Sequence, residues 1–113
     1  MRVLIVEDEF IIAMDTEAVL EDAGFEVGGV AATLEEAQQL IDKNCCDAAI
    51  LDANLNGVSA EPVASRLRQH GVPFVVMSGY TADHMAGALA QAPFLPKPAD
   101  PNSLVSIVRG LHK

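Results

Sequence analysis

Acidic residues directly follow two of the apolar runs in this sequence, and acids in such places can bind a metal or attack a phosphoryl group. Glu7 and Asp8 follow the run Val3–Val6, and Asp52 follows the run Ala48–Leu51. Carboxylates that lie close together repel one another, and the repulsion raises the pKa of some of them. A hard divalent cation such as Mg²⁺ would relieve that repulsion, because it prefers oxygen ligands.

A hydroxyl group and an ammonium group follow two later apolar runs. Ser78 comes after Phe74–Met77, and Lys97 stands between two prolines after Phe94-Leu95. Acids for a metal, a hydroxyl, a lysine and one isolated Asp are typical of phosphoryl transfer, where catalysis is mainly positioning and charge neutralisation. Asp52 is the candidate nucleophile.

The elements that must position these residues alternate along the chain between short β-type runs and longer stretches with helical spacing. The predicted strands are Val3–Val6, Glu26–Ala31, Ala48–Leu51, Phe74–Met77 and Phe94-Leu95. The predicted helices are Phe10–Ala23, Leu34–Lys43, Ala60–His70, Ala82–Gln91 and Asn102–Leu111. Thr33 begins a capping-box sequence before the second helix, and Asp100-Pro101 offers a cap followed by a proline before the last one.

The strands around Ile5 and Ile50 are apolar on successive residues, which predicts burial on both faces and a parallel sheet covered by helices. The predicted fold is α/β: a doubly wound (βα)5, flavodoxin-like sandwich with strand order 2-1-3-4-5 and helices on both faces. Ligands of such sheets bind beyond the carboxyl ends of the strands, here between strands one and three. The acids, the serine and the lysine are therefore expected at one edge.

Composition limits the classes of function. The chain has 113 residues, half of them hydrophobic, which fits one domain over residues 1–113. A net charge of −9 argues against direct contact with nucleic acid. No apolar run approaches the roughly 20 residues that span a membrane, and no signal-peptide pattern is present, so we expect a cytoplasmic protein without membrane insertion. Cys45 and Cys46 are adjacent, and we interpret them as reduced packing residues.

The sequence resembles the CheY-like receiver domains of two-component response regulators over essentially its whole length. The motifs that carry the resemblance are Leu4-Ile5-Val6-Glu7-Asp8-Glu9, Ile50-Leu51-Asp52, Val75-Val76-Met77-Ser78-Gly79-Tyr80 and Phe94-Leu95-Pro96-Lys97-Pro98. Each motif alone is weak, but together, in this order and at these strand ends, they are specific. The Ser-Gly-Tyr sequence and the Asn-Leu-Asn-Gly loop are similar to a subgroup that contains many stand-alone receivers.

The resemblance implies that Asp52 accepts a phosphoryl group from a histidine kinase or a histidine phosphotransfer protein. Asp8 is expected to bind Mg²⁺ directly and Glu7 largely through water, while the backbone carbonyl of Asn54 completes the metal site. Mn²⁺ is expected to substitute for Mg²⁺. The chain would not be an enzyme beyond catalysing its own phosphorylation and dephosphorylation.

The resemblance also implies a switch. Ser78 would hydrogen-bond the phosphoryl oxygens and Lys97 would pair with them, with a cis Lys97-Pro98 bond. The surface of the predicted fourth helix (Ala82–Gln91), fifth strand (Phe94-Leu95) and fifth helix (Asn102–Leu111) would then change and control a downstream protein. Phe94 occupies the position of the switch aromatic, where it can act only through packing, and Tyr80 flanks the reactive group. We expect a monomer or weak dimer.

The loop after Asp52 departs from the family pattern. Asn56 and Ala60 stand where the family usually has Pro and Gly, and Gly57 comes early. We therefore expect this loop to differ from the common form, and Pro62 to lie in the first turn of the third helix.

Other interpretations remain for the same residues. The chain could be a phosphorylation-independent pseudo-receiver that binds partners, although the intact acids, serine and lysine argue against it. A phosphatase with Asp52 as nucleophile would need an acid two residues later, where this chain has Asn54. A flavin binder would need a hydroxyl- and glycine-rich loop in place of Glu7-Asp8-Glu9. Glu9 itself is expected to be a solvated residue at a helix start.

Overall fold

The computed structural model describes residues 1–78, 92–97 and 99–111. Several predictions fall outside these ranges: the helix Ala82–Gln91, the switch position Tyr80, and the Lys97-Pro98 peptide bond. Within the described ranges the chain forms seven strands and four helices. The strands are β1 Arg2–Val6, β2 Glu26–Ala31, β3 Ala48–Asp52, β4 Asn54–Leu55, β5 Val58–Ser59, β6 Phe74–Ser78 and β7 Phe94–Pro96. The helices are α1 Phe10–Asp22, α2 Leu34–Asp42, α3 Glu61–Gln69 and α4 Pro101–Leu111.

Five strands form one parallel sheet in the order β2-β1-β3-β6-β7. These are the five predicted strands, so the predicted order 2-1-3-4-5 is confirmed. All of β3 and all of β1 except Arg2 are buried, as predicted for the strands around Ile5 and Ile50. Every residue of β6 is buried as well. Ile5 lies beside Ile50, and Ile50 lies beside Val75, so β1, β3 and β6 run in register through the middle of the sheet.

Alternate residues of the strands face two separate cores, as the pleat of a strand requires. One core joins Leu4, Leu51 and Val76 to residues of α2 and α3. The other joins Ile5 and Val75 to residues of α1 and α4. The helices therefore cover both faces of the sheet, and the predicted doubly wound sandwich is confirmed.

Local signals set the helix boundaries within a residue of prediction. At the start of α2, the Thr33 hydroxyl accepts a hydrogen bond from the Glu36 amide at 3.2 Å, and a Glu36 carboxylate oxygen accepts one from the Ala32 amide at 3.0 Å. The two residues thus cap the helix together. At the start of α4, an Asp100 carboxylate oxygen accepts a hydrogen bond from the Ser103 amide at 3.0 Å.

The loop after β3 forms a short antiparallel hairpin, β4-β5, which the sequence did not predict in this form. Leu55 pairs with Val58 across a two-residue turn, and the turn residues Asn56 and Gly57 have φ of 53° and 81°. A type I′ turn needs positive φ at both central residues, and Asn-Gly is its preferred sequence. The expectation that this loop departs from the common pattern is thus supported by its geometry.

No helix in the described part of the chain is both long and apolar enough to cross a membrane.

Candidate functional site

The candidate site is a group of three carboxylates at the carboxyl ends of β1 and β3. One oxygen from each of Glu7, Asp8 and Asp52 lies within 4.8 Å of the others. Glu7 and Asp52 are buried, with 5% and 6% of their surface exposed, whereas Asp8 is partly exposed. β1 and β3 are hydrogen-bonded neighbours and run in parallel, so the residues at their carboxyl ends lie close together.

Lys97 joins the two buried acids. Its Nζ donates to Oε1 of Glu7 at 2.9 Å and to Oδ2 of Asp52 at 2.8 Å. The Lys97 backbone amide donates to the Ser78 carbonyl oxygen at 2.9 Å, which fixes the residue after β7 against the end of β6. The predicted meeting of Asp52 and Lys97 at one sheet edge is therefore observed.

The pKa values of the site reflect burial and these hydrogen bonds. Burial raises the pKa of Glu7 to about 7; its hydrogen bond with Asp52 adds to the rise, while its bond with Lys97 opposes it. Burial alone would lower the pKa of Lys97, but its bonds to Asp52 and Glu7 outweigh burial and raise the pKa. Burial, together with the neighbouring Asp52, thus shifts the protonation equilibrium of Glu7 toward the neutral acid.

The pKa of Asp8 is shifted in the opposite direction from that of Glu7. Burial would raise its pKa, but hydrogen bonds from Glu7 and from the Asn56 backbone amide outweigh burial and lower the pKa. The Asn56 amide donates to Oδ2 of Asp8 at 3.0 Å, across 48 positions of sequence. Sequence reasoning missed this contact, although the Asn-Gly turn that creates it is visible in the sequence.

The donor set suits a hard cation. All three converging side chains offer carboxylate oxygens, the ligand type that Mg²⁺ prefers, and two of them are buried beside a single compensating lysine. The three carboxylates could therefore hold a magnesium ion.

Asn54 and Ser78 lie next to this group. The Asn54 backbone amide donates to Oδ1 of Asp52 at 3.2 Å, and the Asn54 side-chain oxygen accepts from the Gly57 amide at 2.8 Å. Ser78 is the last residue of β6 and is buried, with 2% exposed. Because Asp52 pairs with Met77 in the sheet, Ser78 lies one residue beyond Asp52 at the same edge.

Phe94 begins β7 beside Val76 and is half-buried. It lies three residues before Lys97.

The fold is a doubly wound α/β sheet with three acids and a lysine at one edge, and comparison with known proteins specifies the family. The family model of the response regulator receiver domain matches residues 3–109. This chain belongs to that family, and it is a receiver domain of the kind used in two-component signalling. Receiver domains bind Mg²⁺ through an acidic pocket, and Glu7, Asp8 and Asp52 form a group that could hold such an ion.

Relatives with longer chains are similar to this one. The Phyllosphere-induced regulator PhyR of Methylorubrum extorquens is 33% identical over 111 residues, which cover 95% of this chain and 42% of the relative. The transcriptional regulatory protein PdtaR of Mycobacterium tuberculosis is 30% identical over 114 residues, covering 95% and 54%. The chain thus spans about half the length of these curated relatives.

Solved structures have the same fold over nearly the full length. A putative response regulator from Chloroflexus aurantiacus is 38% identical with a TM-score of 0.84, covering 97% of this chain and 95% of the other. SdrG from Sphingomonas melonis Fr1 is 34% identical with a TM-score of 0.85, covering 98% and 95%.

Proposed function

We propose that residues 1–113 form a single receiver domain that is controlled by phosphorylation of Asp52. The observation that carries this proposal is the double contact of Lys97 Nζ with Glu7 and Asp52 in a buried acidic pocket. A lysine in this place compensates the acids before reaction, and it is within reach of the new charge when Asp52 gains a phosphoryl group. Family membership supports the same reaction.

Asp52 is suited to act as the nucleophile. The Asn54 amide and Lys97 Nζ each hold one of its oxygens, which fixes the orientation of the carboxylate. In the proposed reaction a carboxylate oxygen attacks the phosphorus of a phosphohistidine, the phosphorus–nitrogen bond breaks, and the imidazole leaves and takes up a proton. The product is an acyl phosphate whose oxygens pair with Lys97 and with the hydroxyl of Ser78.

A bound Mg²⁺ would neutralise phosphoryl charge and help to align the donor. We propose that Asp8 and Asp52 contribute direct oxygen ligands, that Glu7 acts largely through water, and that the Asn54 carbonyl completes the site. Mn²⁺ offers the same oxygen preference and is expected to substitute.

The switch is proposed to travel through the link between β6 and β7. Because the Lys97 amide is bonded to the Ser78 carbonyl, a shift of either residue toward the phosphoryl group pulls on both strand ends. Phe94 lies in β7 and would respond by repacking, since it has no hydroxyl to bond. The surface that includes β7 and α4 would then change its affinity for a downstream protein.

The phosphodonor is proposed to be a histidine kinase or a histidine phosphotransfer protein. Phe10, Ile11 and Met14 lie on α1 directly after the acidic loop, and 75%, 74% and 52% of their surfaces are exposed. Large apolar side chains this exposed beside a reactive site favour contact with a protein partner. A small phosphodonor would not need these side chains, which gives a way to separate docking from chemistry.

Incubation with acetyl phosphate and MgCl₂, followed by intact mass measurement, tests the proposal. We expect a gain of one phosphoryl group that needs Mg²⁺, disappears on mild alkaline treatment, and is absent from Asp52→Asn. Absence of any adduct from the native protein would favour a pseudo-receiver. Continuous release of phosphate from simple phosphate esters would favour a phosphatase.

A further inference from the structure

The β4-β5 hairpin contacts the acidic pocket through two backbone amides: that of Asn54 donates to Oδ1 of Asp52, and that of Asn56 donates to Oδ2 of Asp8. The second of these hydrogen bonds carries the inference. This contact joins the loop after β3 to the loop after β1. Asp8 itself lies outside regular secondary structure and is partly exposed, so few contacts besides those with Glu7 and the Asn56 amide fix its side chain.

The hairpin is built to hold this amide in place. Leu55 anchors it in the core with 3% of its surface exposed, and the Ala60 amide donates to the Ala53 carbonyl oxygen at 2.9 Å across its base. The Gly57 amide bonds to the Asn54 side chain at 2.8 Å, which closes the turn from inside. Asn56 lies in the turn, outside the paired residues of the hairpin, and its N–H donates to Asp8.

We propose that Asn56 is a positioning residue for the metal ligand Asp8, acting through its backbone amide. The amide holds Oδ2 and would thereby fix the orientation in which Asp8 offers its carboxylate to a cation. The inference rests on the proposed magnesium site. Hydrogen-bond partners of metal ligands usually account for 10–100-fold in affinity by fixing ligand orientation. For a single neutral donor on a partly exposed carboxylate, we expect the lower end of that range.

The test removes only the hydrogen-bond donor. Replacing the amide at position 56 by a backbone ester keeps the side chain and removes the N–H. The same change at Gly57 is the matched control, because it removes a hydrogen bond of the same turn that does not involve Asp8. Ligation of a synthetic segment at Cys45 gives both chains, and urea unfolding in EDTA checks that each is folded.

Titration with MgCl₂ by calorimetry then compares the chains. We expect the Mg²⁺ dissociation constant to rise about tenfold for the ester at 56 and to change less than about twofold for the ester at 57. Equal changes in both chains, or none at 56, would overturn the inference. Failure of the unmodified protein to bind Mg²⁺ would instead overturn the proposed site.

A second measurement covers the case in which the ester at 56 does not fold. In ¹⁵N-labelled native protein, the Asn56 amide resonance is expected to shift as MgCl₂ is added, because its acceptor Asp8 becomes a ligand. Asn56→Gly keeps both the amide and the positive φ, so it should bind Mg²⁺ like the native protein. Asn56→Val disfavours positive φ and should bind more weakly. An unmoved Asn56 resonance on Mg²⁺ binding, or equal affinity of the two variants, would contradict the proposal.

Discussion

Lys97→Met removes the ammonium group that compensates two buried carboxylates, and its effect can be estimated from the site. Lys97 Nζ lies 2.9 Å from Glu7 and 2.8 Å from Asp52, and the lysine side chain is 18% exposed. Removing one partner of a buried ion pair usually costs about 3–5 kcal/mol, because the other charge is left buried and uncompensated. We expect about 3 kcal/mol here, since the lysine retains some contact with solvent.

The loss should depend on pH and on Mg²⁺. The raised pKa of Lys97 means that its contribution to stability is full below its ordinary value of 10.5 and is lost only as the pH rises through the higher folded value. Protonation of Glu7 below about pH 7 removes one of the two negative charges, so the variant should lose less stability at pH 5.5 than at pH 8.

The effect of Mg²⁺ on stability depends on its affinity for the folded state. A cation present at a hundred times its dissociation constant adds about 2.7 kcal/mol to the free energy of unfolding. Because the variant leaves the acids uncompensated, Mg²⁺ should bind it more tightly and stabilise it more than the native protein.

Urea unfolding followed by circular dichroism, at pH 8 and in EDTA, measures the loss. Lys43→Met is the matched control, because Lys43 is exposed at the end of α2, and it should change stability by less than about 0.5 kcal/mol. The reasoning is refuted if Lys97→Met is as stable as the native protein under these conditions, or if the loss is as large at pH 5.5 as at pH 8.

Three further predictions follow from other parts of the molecule. In EDTA, the burial of Glu7 should lower the free energy of unfolding as the pH rises from 4.5 to about 7. Urea titrations should show no such decrease for Glu7→Gln. The same pH dependence in the native protein and the variant would contradict the prediction. Gly28→Ala would place Cβ 2.6 Å from the Cys46 sulfur and 2.8 Å from the Cys45 carbonyl oxygen, so the Tm should fall and the free energy of unfolding should decrease by about 1–3 kcal/mol. Gly110→Ala in α4 has open space around it, so its free energy of unfolding should increase by up to about 1 kcal/mol. Equal effects at the two glycines would count against this packing argument. Phe10→Ser should slow phosphotransfer from a cognate kinase in a radiolabel assay but leave labelling by acetyl phosphate unchanged. Equal slowing of both reactions would show that Phe10 supports the pocket itself.

Much of the fold could be predicted because buried parallel strands leave a plain pattern in the sequence. The apolar runs around Ile5 and Ile50 predicted strands that are buried on both faces, and Thr33 predicted the start of α2; the structure confirms both. The convergence of Glu7, Asp8 and Asp52 followed from strand direction alone, because parallel neighbours end at one edge.

The features of the structure that could not be predicted depend on contacts between residues that are distant in sequence. Asn56 contacts Asp8 only because the loop closes into a hairpin, and single-residue patterns do not report a hydrogen bond across 48 positions. Likewise, Nε2 of the exposed His70 lies 3.3 Å from Oδ1 of Asp42 on the neighbouring helix, which no local sequence pattern indicates. Glu9 is exposed at the start of α1 and makes no side-chain cap, in line with its interpretation as a solvated acid.

The central claim is that Asp52 is the phosphoacceptor, and chemical mapping of the phosphorylated residue tests it most directly. After treatment with acetyl phosphate and MgCl₂, borohydride reduces an acyl phosphate of Asp to homoserine. Trypsin then releases the segment 44–66, which contains both Asp52 and the exposed Asp47. We predict homoserine at position 52 and unmodified Asp47, only when Mg²⁺ is present. Homoserine at Asp47 or Asp8, with Asp52 unchanged, would contradict the account.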